Sequence, residues 1–357
     1  MIICIHEDRP AALVGVKLLV ASLRRHCPDV PVVVSVPSDQ PDIEHWLAEH
    51  HPGSWLRADP SFDGRGWNTK PSLLLKMLDE GHDEVVWIDS DVVLAGDFRP
   101  LIGGSTPQHV VPTEELYWGC FPGGSYRTEL WGLEPGRRLS ATLNTAFVRM
   151  TEAHRDLLRA WQRLLAVPSY ERSQTRPFFE RPIHMMGDQD VLTALVGAKR
   201  FSHIPLRYLK RGRDIVHSIT PAGYTVTERV RNLFAPLPAL IHGVEPKHWE
   251  RPPQNPPSFY ERLSLELCPY SNVARPYYPQ LDGTLEGIEI RTWMGKLCHA
   301  LARGNPTLQG LPLSLLHSFG KRTKRMLGMT PWATYDAHCD PDMRVVGQQI
   351  VDELLGD

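Results

Sequence analysis

Two carboxylates one residue apart, Asp89 and Asp91, close an apolar run in the stretch VVWIDSDVVLAGDF, Val85 to Phe98. Val85, Val86, Trp87 and Ile88 are β-branched or aromatic, a pattern that predicts a strand buried on both faces. Alternation along an extended chain turns Asp89 and Asp91 to one side. Carboxylates held that close repel unless a cation sits between them or one keeps its proton. They also fall where the chain leaves the sheet, and open α/β sheets bind ligands at the carboxyl ends of their strands. Asp-Ser-Asp equally suits a plain turn, since these residues start turns and cap helices, so the run by itself leaves both readings open.

Other residues invite the same weighing. Lys70 precedes Pro71, which suits the first turn of a helix with Leu73, Leu74, Met77 and Leu78 on its apolar face. A lysine at the cap position meets the positive end of the helix dipole, which is unfavourable unless an anion shares the site. Gly64 and Gly66 would let backbone approach such an anion, while the alternative is a surface lysine on a loop. Gly187-Asp188-Gln189-Asp190 opens a helix marked by Val191, Leu192, Leu195 and Val196. Asp188 there is either a functional carboxylate or an N-cap, with Asp190 complementing the dipole. His242-Gly243-Val244-Glu245-Pro246-Lys247-His248-Trp249 leaves another apolar run. A lone histidine is ordinarily structural and a lysine solvated.

The elements that must position these residues read as alternating units. Ile2–Ile5 and Val30–Val36 are strands, each followed by a helix (Leu13 to about Cys27, and Ile43–His50), which predicts a mostly parallel sheet with right-handed crossovers. Strands are also expected at 109–112, 143–148, 201–205 and 239–242, and a helix at 154–165. Tyr117 to Gly136, rich in Gly, Pro and aromatics, reads as a long functional loop or lid. Proline becomes dense from Pro252 to Pro279, which sets the expected division: an α/β domain over 1–250, a Pro-rich linker over 251–280 and a helical appendage over 281–357. Within the appendage, Ile288–Leu301 and Leu311–Phe319 read as helices. The basic cluster Lys321-Arg322 and Lys324-Arg325 could touch a membrane surface, although four charges on a helix are more often a solvated face.

The whole chain sets limits. Its 357 residues suit two domains or one large domain with an appendage, and 42% hydrophobic content supports a full core. A formal charge of -2 gives no general attraction to nucleic acid or anionic membrane, so anion binding must be local. Cys4, Cys27, Cys120, Cys268, Cys298 and Cys339 contain no C-x-x-C, which indicates neither a zinc cluster nor a disulfide framework. Glu7-Asp8 near the start and the lack of a basic-then-apolar leader predict no signal peptide. No apolar run reaches transmembrane length, and a soluble cytoplasmic protein is the expectation.

In order, these pieces resemble the GT-A glycosyltransferases, most nearly the glycosyltransferase family 8 type. The likeness covers about residues 1–250. Lys70-Pro71 precedes the strand, VVWIDSDVVL carries the Asp-x-Asp, LNTAFVRM is similar to the family's Asn-Ser-Gly strand, and GDQDVL to its Asp-Gln-Asp helix start. IHGVEPKHW resembles the closing His-x-x-Gly-x-x-Lys-Pro-Trp motif, one residue shorter between His242 and Lys247 and with His248 in place of proline. Thr145-Ala146 stands in place of Ser-Gly.

The resemblance implies a GT-A (Rossmann-like) sheet flanked by helices and hexosyl transfer from a nucleoside-diphosphate-sugar, with UDP favoured, to an acceptor it does not identify. It implies Asp89, Asp91 and His242 as ligands of a divalent cation, and a hard, mostly oxygen site suits Mn²⁺ or Mg²⁺. Lys247 is implied as the cation on the leaving diphosphate, with Lys70 assisting or binding donor phosphate. Ser90, Asn144, Thr145 and Gly243 fall in its donor site, and Asp188, Gln189 and Asn144 would hold sugar hydroxyls. Family 8 enzymes retain anomeric configuration, which places Asp188 or Gln189 on the face the acceptor attacks.

Three other readings compete. A phosphatase of the haloacid dehalogenase type would use Asp89 as nucleophile and Asp91 as acid. About eighty residues of strand-helix units precede the motif, however, and the His242–Lys247 turn would have no role. A sugar-nucleotide pyrophosphorylase needs a Gly-rich basic loop after the first strand, which His6-Glu7-Asp8-Arg9-Pro10 is not. A non-catalytic sugar-nucleotide-binding module would not need the full set of metal and phosphate residues.

Overall fold

A computed structural model describes residues 1–115, 125–218, 223–244, 258–281, 290–326 and 347–356. Among the described residues, nine strands form two sheets. The larger has the order β3-β2-β1-β4-β7-β6, built from β1 (Ile2–His6), β2 (Val32–Val36), β3 (Ser54–Ala58), β4 (Glu84–Ile88), β6 (Val111–Glu115) and β7 (Thr142–Thr151). Its β3-β2-β1-β4 half is parallel, whereas β7 runs antiparallel to both β4 and β6. The smaller sheet has the order β5-β9-β8, from β5 (Val92–Leu94), β8 (Ile215–His217) and β9 (Leu240–His242).

Burial on both faces explains the unbroken apolar strands. Along β1, Ile2 and Cys4 enter one core while Ile3 and Ile5 enter the other. Along β4, Val85 and Trp87 face the first core, and Val86 and Ile88 the second. The first core is closed by helix α3 (Lys70–Asp79) and the Arg155–Leu165 and Asp188–Gly197 helices. The second is closed by α1 (Leu13–His26) and α2 (Pro41–His50).

Several expectations are corrected. The segment expected as a linker is folded from 258 to 281: Phe259–Leu267 and Pro269–Ala274 are helices, Arg275–Gln280 is a 3₁₀ turn, and Cys268, Tyr270, Ala274, Tyr277 and Leu281 join the second core. Proline there starts helices instead of loosening the chain, since Pro269 and Pro276 occupy first-turn positions where no amide hydrogen is needed. No strand forms at 201–205. Lys199–Phe201 is a 3₁₀ turn, and the β6 edge is instead bridged at Leu206 and Leu209. The lid expectation also changes. Residues 116–124 lie outside the described residues, but Tyr126–Leu130 is a helix and Trp131 is fully buried, donating from Nε1 to the His184 carbonyl at 2.6 Å.

Candidate functional site

The Asp89-Ser90-Asp91 turn links the two sheets, and both meanings of its composition hold at once. It is a tight turn, with the Val92 amide donating to the Asp89 carbonyl at 3.0 Å. It also delivers Asp91 directly into β5, whose antiparallel register sets Val92 opposite His242 and lets the Gly243 amide donate to the Asp91 carbonyl at 2.7 Å. Sequence positions 91 and 242 are thus neighbours because of strand pairing. His242 Nε2 stands 3.3 Å from Asp91 Oδ1. Asp89, Asp91 and His242 each offer one ligand atom, all within 4.8 Å of one another, a spacing one cation can bridge.

The parallel pairing of β8 with β9 puts His217 beside His242, with their Nδ1 atoms 3.0 Å apart. His217 Nε2 lies 3.3 Å from the Glu114 carbonyl, which can only accept. Full burial, and then the neighbouring His242, hold the His217 imidazole neutral by pushing its pKa well below the ordinary value. Its one proton therefore belongs on Nε2, leaving Nδ1 to accept from His242 Nδ1–H. In neutral His242 the lone pair then sits on Nε2, facing Asp91 Oδ1. Two acceptors facing each other fit a cation between them, and a histidine whose far nitrogen is held by a hydrogen bond is the usual arrangement of a metal ligand. The residues could hold a divalent cation.

Lys70 is the second hub. It is the first residue of α3, just after the cap position, and is only 2% exposed. Its Nζ lies 2.8 Å from Thr145 Oγ1, 3.0 Å from Asp89 Oδ1, 3.3 Å from Asp188 Oδ2 and 3.4 Å from the Thr145 carbonyl, acceptors enough for its three protons. Burial opposes the lysine's charge, but Asp188 and Asp89 outweigh it and hold the ammonium above its ordinary pKa. Burial pushes Asp188 upward against the pull of Lys70. The anion imagined at the start of α3 is therefore supplied by the protein's own carboxylates. Gly64 and Gly66 do adopt positive φ, 65° and 50°, yet the Gly66 amide donates to Asp8 at 2.8 Å.

The alternatives at Asp188 are also separated. Gly187 takes the cap position, and its amide donates to the Asp190 carboxylate at 3.1 Å, while Asp190 pairs with Arg127 at 2.7 Å. Asp188 instead accepts from Thr145 Oγ1 at 2.8 Å and faces Lys70. Ser90 donates to Glu7 at 2.7 Å, and Glu7 in turn holds Arg9 at 2.9 Å. Asn144 turns toward β6, donating to Glu115 at 2.9 Å and accepting from the Ala146 amide at 2.9 Å. Gln189 is half-buried beside Asp188. Lys247 lies outside the described residues. Gly243 has a steric reason as well: a Cβ there would stand 2.9 Å from the Tyr270 ring.

A cavity of about 400 Å³ opens over the turn, lined by Glu7, Arg65, Trp67, Asp89 and Asp91 among others. A second, of about 430 Å³, shares Glu7 and Asp8 and runs over the ends of β1 and β2 past Leu13, Val36 and Gln40. Two contributors escaped sequence reasoning. Glu7 registered there only as a charge near the start of the chain. His217 carried a signal that could have been used: Ile215-Val216-His217 repeats the apolar-apolar-His pattern of Leu240-Ile241-His242.

No family model and no curated protein matches this sequence. Among solved structures, the chain is similar to the apo bifunctional glycosyltransferase WbbM, with 12% identity over 78% of this chain and a TM-score of 0.47. It spans about half of that protein, 51% of its chain. It is similar to the glycosyltransferase GlyE of Streptococcus pneumoniae TIGR4, with 14% identity over 85% of this chain and 73% of that one and a TM-score of 0.44. It is also similar to the galactosyltransferase LgtC, solved in complex with donor and acceptor sugar analogs, with 15% identity over 79% of this chain and 100% of that one and a TM-score of 0.49.

Proposed function

We propose that this protein is a glycosyltransferase of the GT-A, family 8-like kind, moving a hexosyl group from a nucleoside-diphosphate-sugar to an acceptor hydroxyl. The observation that carries the reading is the convergence of Asp89, Asp91 and His242, with His242 Nε2 3.3 Å from Asp91 Oδ1, at the carboxyl end of a mostly parallel sheet. That donor set, two carboxylates and one imidazole, favours Mn²⁺ or Mg²⁺ over Zn²⁺. A divalent cation bound there supplies Lewis-acid charge to the diphosphate.

In the overall transfer the bond from the anomeric carbon to the diphosphate oxygen breaks, its electron pair leaving with the nucleoside diphosphate. The acceptor oxygen forms the new bond and gives up its proton, so each turnover releases a nucleoside diphosphate and one proton. Asp188 holds sugar hydroxyls and the positive charge developing at the anomeric carbon, and Gln189, next to it on the same helix start, shares that face. Lys70 keeps Asp89 and Asp188 apart and oriented, and Thr145 links it to Asp188. Ser90, Asn144 and Gly243 shape the donor site from the backbone outward. Lys247 offsets charge on the departing diphosphate. The UDP preference and retention of configuration are carried by the motif resemblance.

The test is a panel of nucleotide-sugars with Mn²⁺, with Mg²⁺ and with EDTA, read by the product released. Free nucleoside diphosphate that disappears with EDTA is the expected result. Inorganic phosphate would mean the phosphatase alternative, and ligand binding without turnover the non-catalytic module. Asp91→Asn, which removes a charge but little volume, is expected to lower turnover by about 10²-fold or more, the scale of a lost electrostatic stabiliser. Near-normal transfer by a folded Asp91→Asn protein in EDTA would overturn the metal-dependent scheme.

A further inference from the structure

The chain's surplus of negative charge is not evenly spread. Residues 290–326 contain seven Lys and Arg and no Asp or Glu, inside a chain of formal charge -2. Among them, Arg291, Lys296, Arg303 and Arg322 are exposed. The same segment carries large apolar side chains in water. On the Trp293–Ala302 helix, Trp293 (68% exposed), Leu297 (50%) and Leu301 (75%) recur every four residues and so share one face. On the Leu311–Met326 helix, Leu315 (50%), Leu316 (67%), Phe319 (73%) and Met326 (82%), spaced by one, three and seven residues, also fall on one face.

These are not residues left over from poor packing. Each helix already has an inward apolar side: Met294, Cys298 and Leu313 pack with Leu263 and Leu267. The outward apolar residues are additional to what the fold needs, and exposed apolar surface of this extent marks an interaction face. We infer that the outward faces of these two helices, with their acid-free basic flanks, dock on an anionic lipid bilayer.

The charge pattern selects that occupant. A second copy of this chain in a symmetric pair would set one cationic segment against the same segment, which is repulsive. Nucleic acid would use the cations but leave Trp293, Leu297 and Phe319 in water. A bilayer with acidic headgroups satisfies both: leucine, phenylalanine and tryptophan enter the headgroup boundary while lysine and arginine remain among the phosphates. The length also fits a helix lying on the surface, because no helix among the described residues is long and apolar enough to cross a membrane. The inference is independent of the chemistry proposed for the cleft.

The experiment is flotation of the full chain with phosphatidylcholine vesicles, with and without phosphatidylserine. Binding is expected to the anionic vesicles and to weaken at least about tenfold when salt rises from about 0.1 M to about 1 M, which shortens the screening length from about 10 Å to about 3 Å. Leu297→Ser with Leu301→Ser, and separately Phe319→Ser, should each reduce binding about tenfold at an unchanged melting temperature. Arg322→Glu, an exposed charge reversal that leaves both helix interiors intact, should reduce binding to anionic vesicles in the same direction. Brominated acyl chains should quench wild-type fluorescence, and Trp293→Phe should remove most of that quenching. No binding to anionic vesicles, or binding indifferent to all these variants, would overturn the inference. So would a stable dimer in solution that dissociates in the Leu297→Ser, Leu301→Ser protein, which would assign the face to a second copy.

Discussion

At the scale of single residues, the site is a set of hydrogen-bond decisions that leave Asp89, Asp91 and His242 converging on one point. Lys70 is the shared counter-charge of Asp89 and Asp188, so removing it leaves two neighbouring carboxylates without a cation, one of them almost fully buried. Lys70→Met is expected to destabilise the fold by about 3 kcal/mol or more, the scale of breaking a buried pair from one side. Adding Asp188→Asn should recover part of that loss, because the stranded charge goes with it. A double-mutant cycle by denaturant unfolding reads the coupling, and strictly additive losses would show that Lys70 and Asp188 do not act as a pair. His217 acts through His242. His217→Leu removes the acceptor that keeps the His242 proton on Nδ1, so Nε2 is free to carry a proton and donate to Asp91. Cation affinity, measured by calorimetry, should fall 10- to 100-fold, the usual effect of losing such a partner. His217→Gln keeps an acceptor and should retain more affinity than His217→Leu. Asp89, Asp91 and Lys70 could be singled out from the sequence because unfavourable charge placements announce themselves locally, whereas Asp188 stood out only through its Gly-Asp-Gln-Asp motif. Glu7 could not be singled out, because its bond to Ser90 arises only on folding, and His217 offered only the faint echo of Ile215-Val216-His217 in Leu240-Ile241-His242.

At the scale of elements, legibility followed burial. β1, β2 and β4 are apolar on both faces and read as strands without ambiguity. β3 is an edge strand with partly exposed Trp55, Leu56 and Arg57, so its composition carries no clear alternation. β8, three residues long, is too short for periodicity to register, whereas β9, equally short, still shows as the apolar run expected at 239–242. Yet these short strands set the site, since their register alone brings His217, His242 and Asp91 together. Gly243 guards that register. With its amide on Asp91 and Tyr270 packed where a Cβ would go, Gly243→Ala must displace either β9 or the Pro269–Ala274 helix. The expected cost is about 1–3 kcal/mol of stability, typical of overpacking, together with weaker cation binding because His242 moves with β9. Unchanged cation affinity in a destabilised Gly243→Ala protein would show that the ring yields and the strand stays.

At the scale of the whole molecule, the fold encloses imidazoles that must stay neutral. Burial is the largest cause holding His6, His51 and His154 below the ordinary histidine pKa. His154 shows why in atomic terms. Its Nδ1 accepts from the Thr151 amide at 2.9 Å and its Nε2 lies 2.9 Å from the Gln108 carbonyl, so a second proton would set Nδ1–H against an N–H. The sign follows from linkage. Above the unfolded pKa of about 6.5 both states are neutral and the residue contributes no pH dependence. Below it the unfolded chain takes up a proton that the folded chain refuses, so stability falls as pH drops from about 6.5 toward the lower folded value. Each such histidine contributes a slope of up to about 1.4 kcal/mol per pH unit in that window. Asp188 and Asp190, raised by burial, act in the opposite direction at lower pH, so the total curve mixes both. His154→Gln separates them: it should cost stability at pH 7.5 through the lost cap, yet reduce proton uptake on unfolding at pH 5.5, by up to about one. Denaturant unfolding at the two pH values in EDTA measures both, and an acid slope unchanged by His154→Gln would mean that this histidine is protonated in the folded protein.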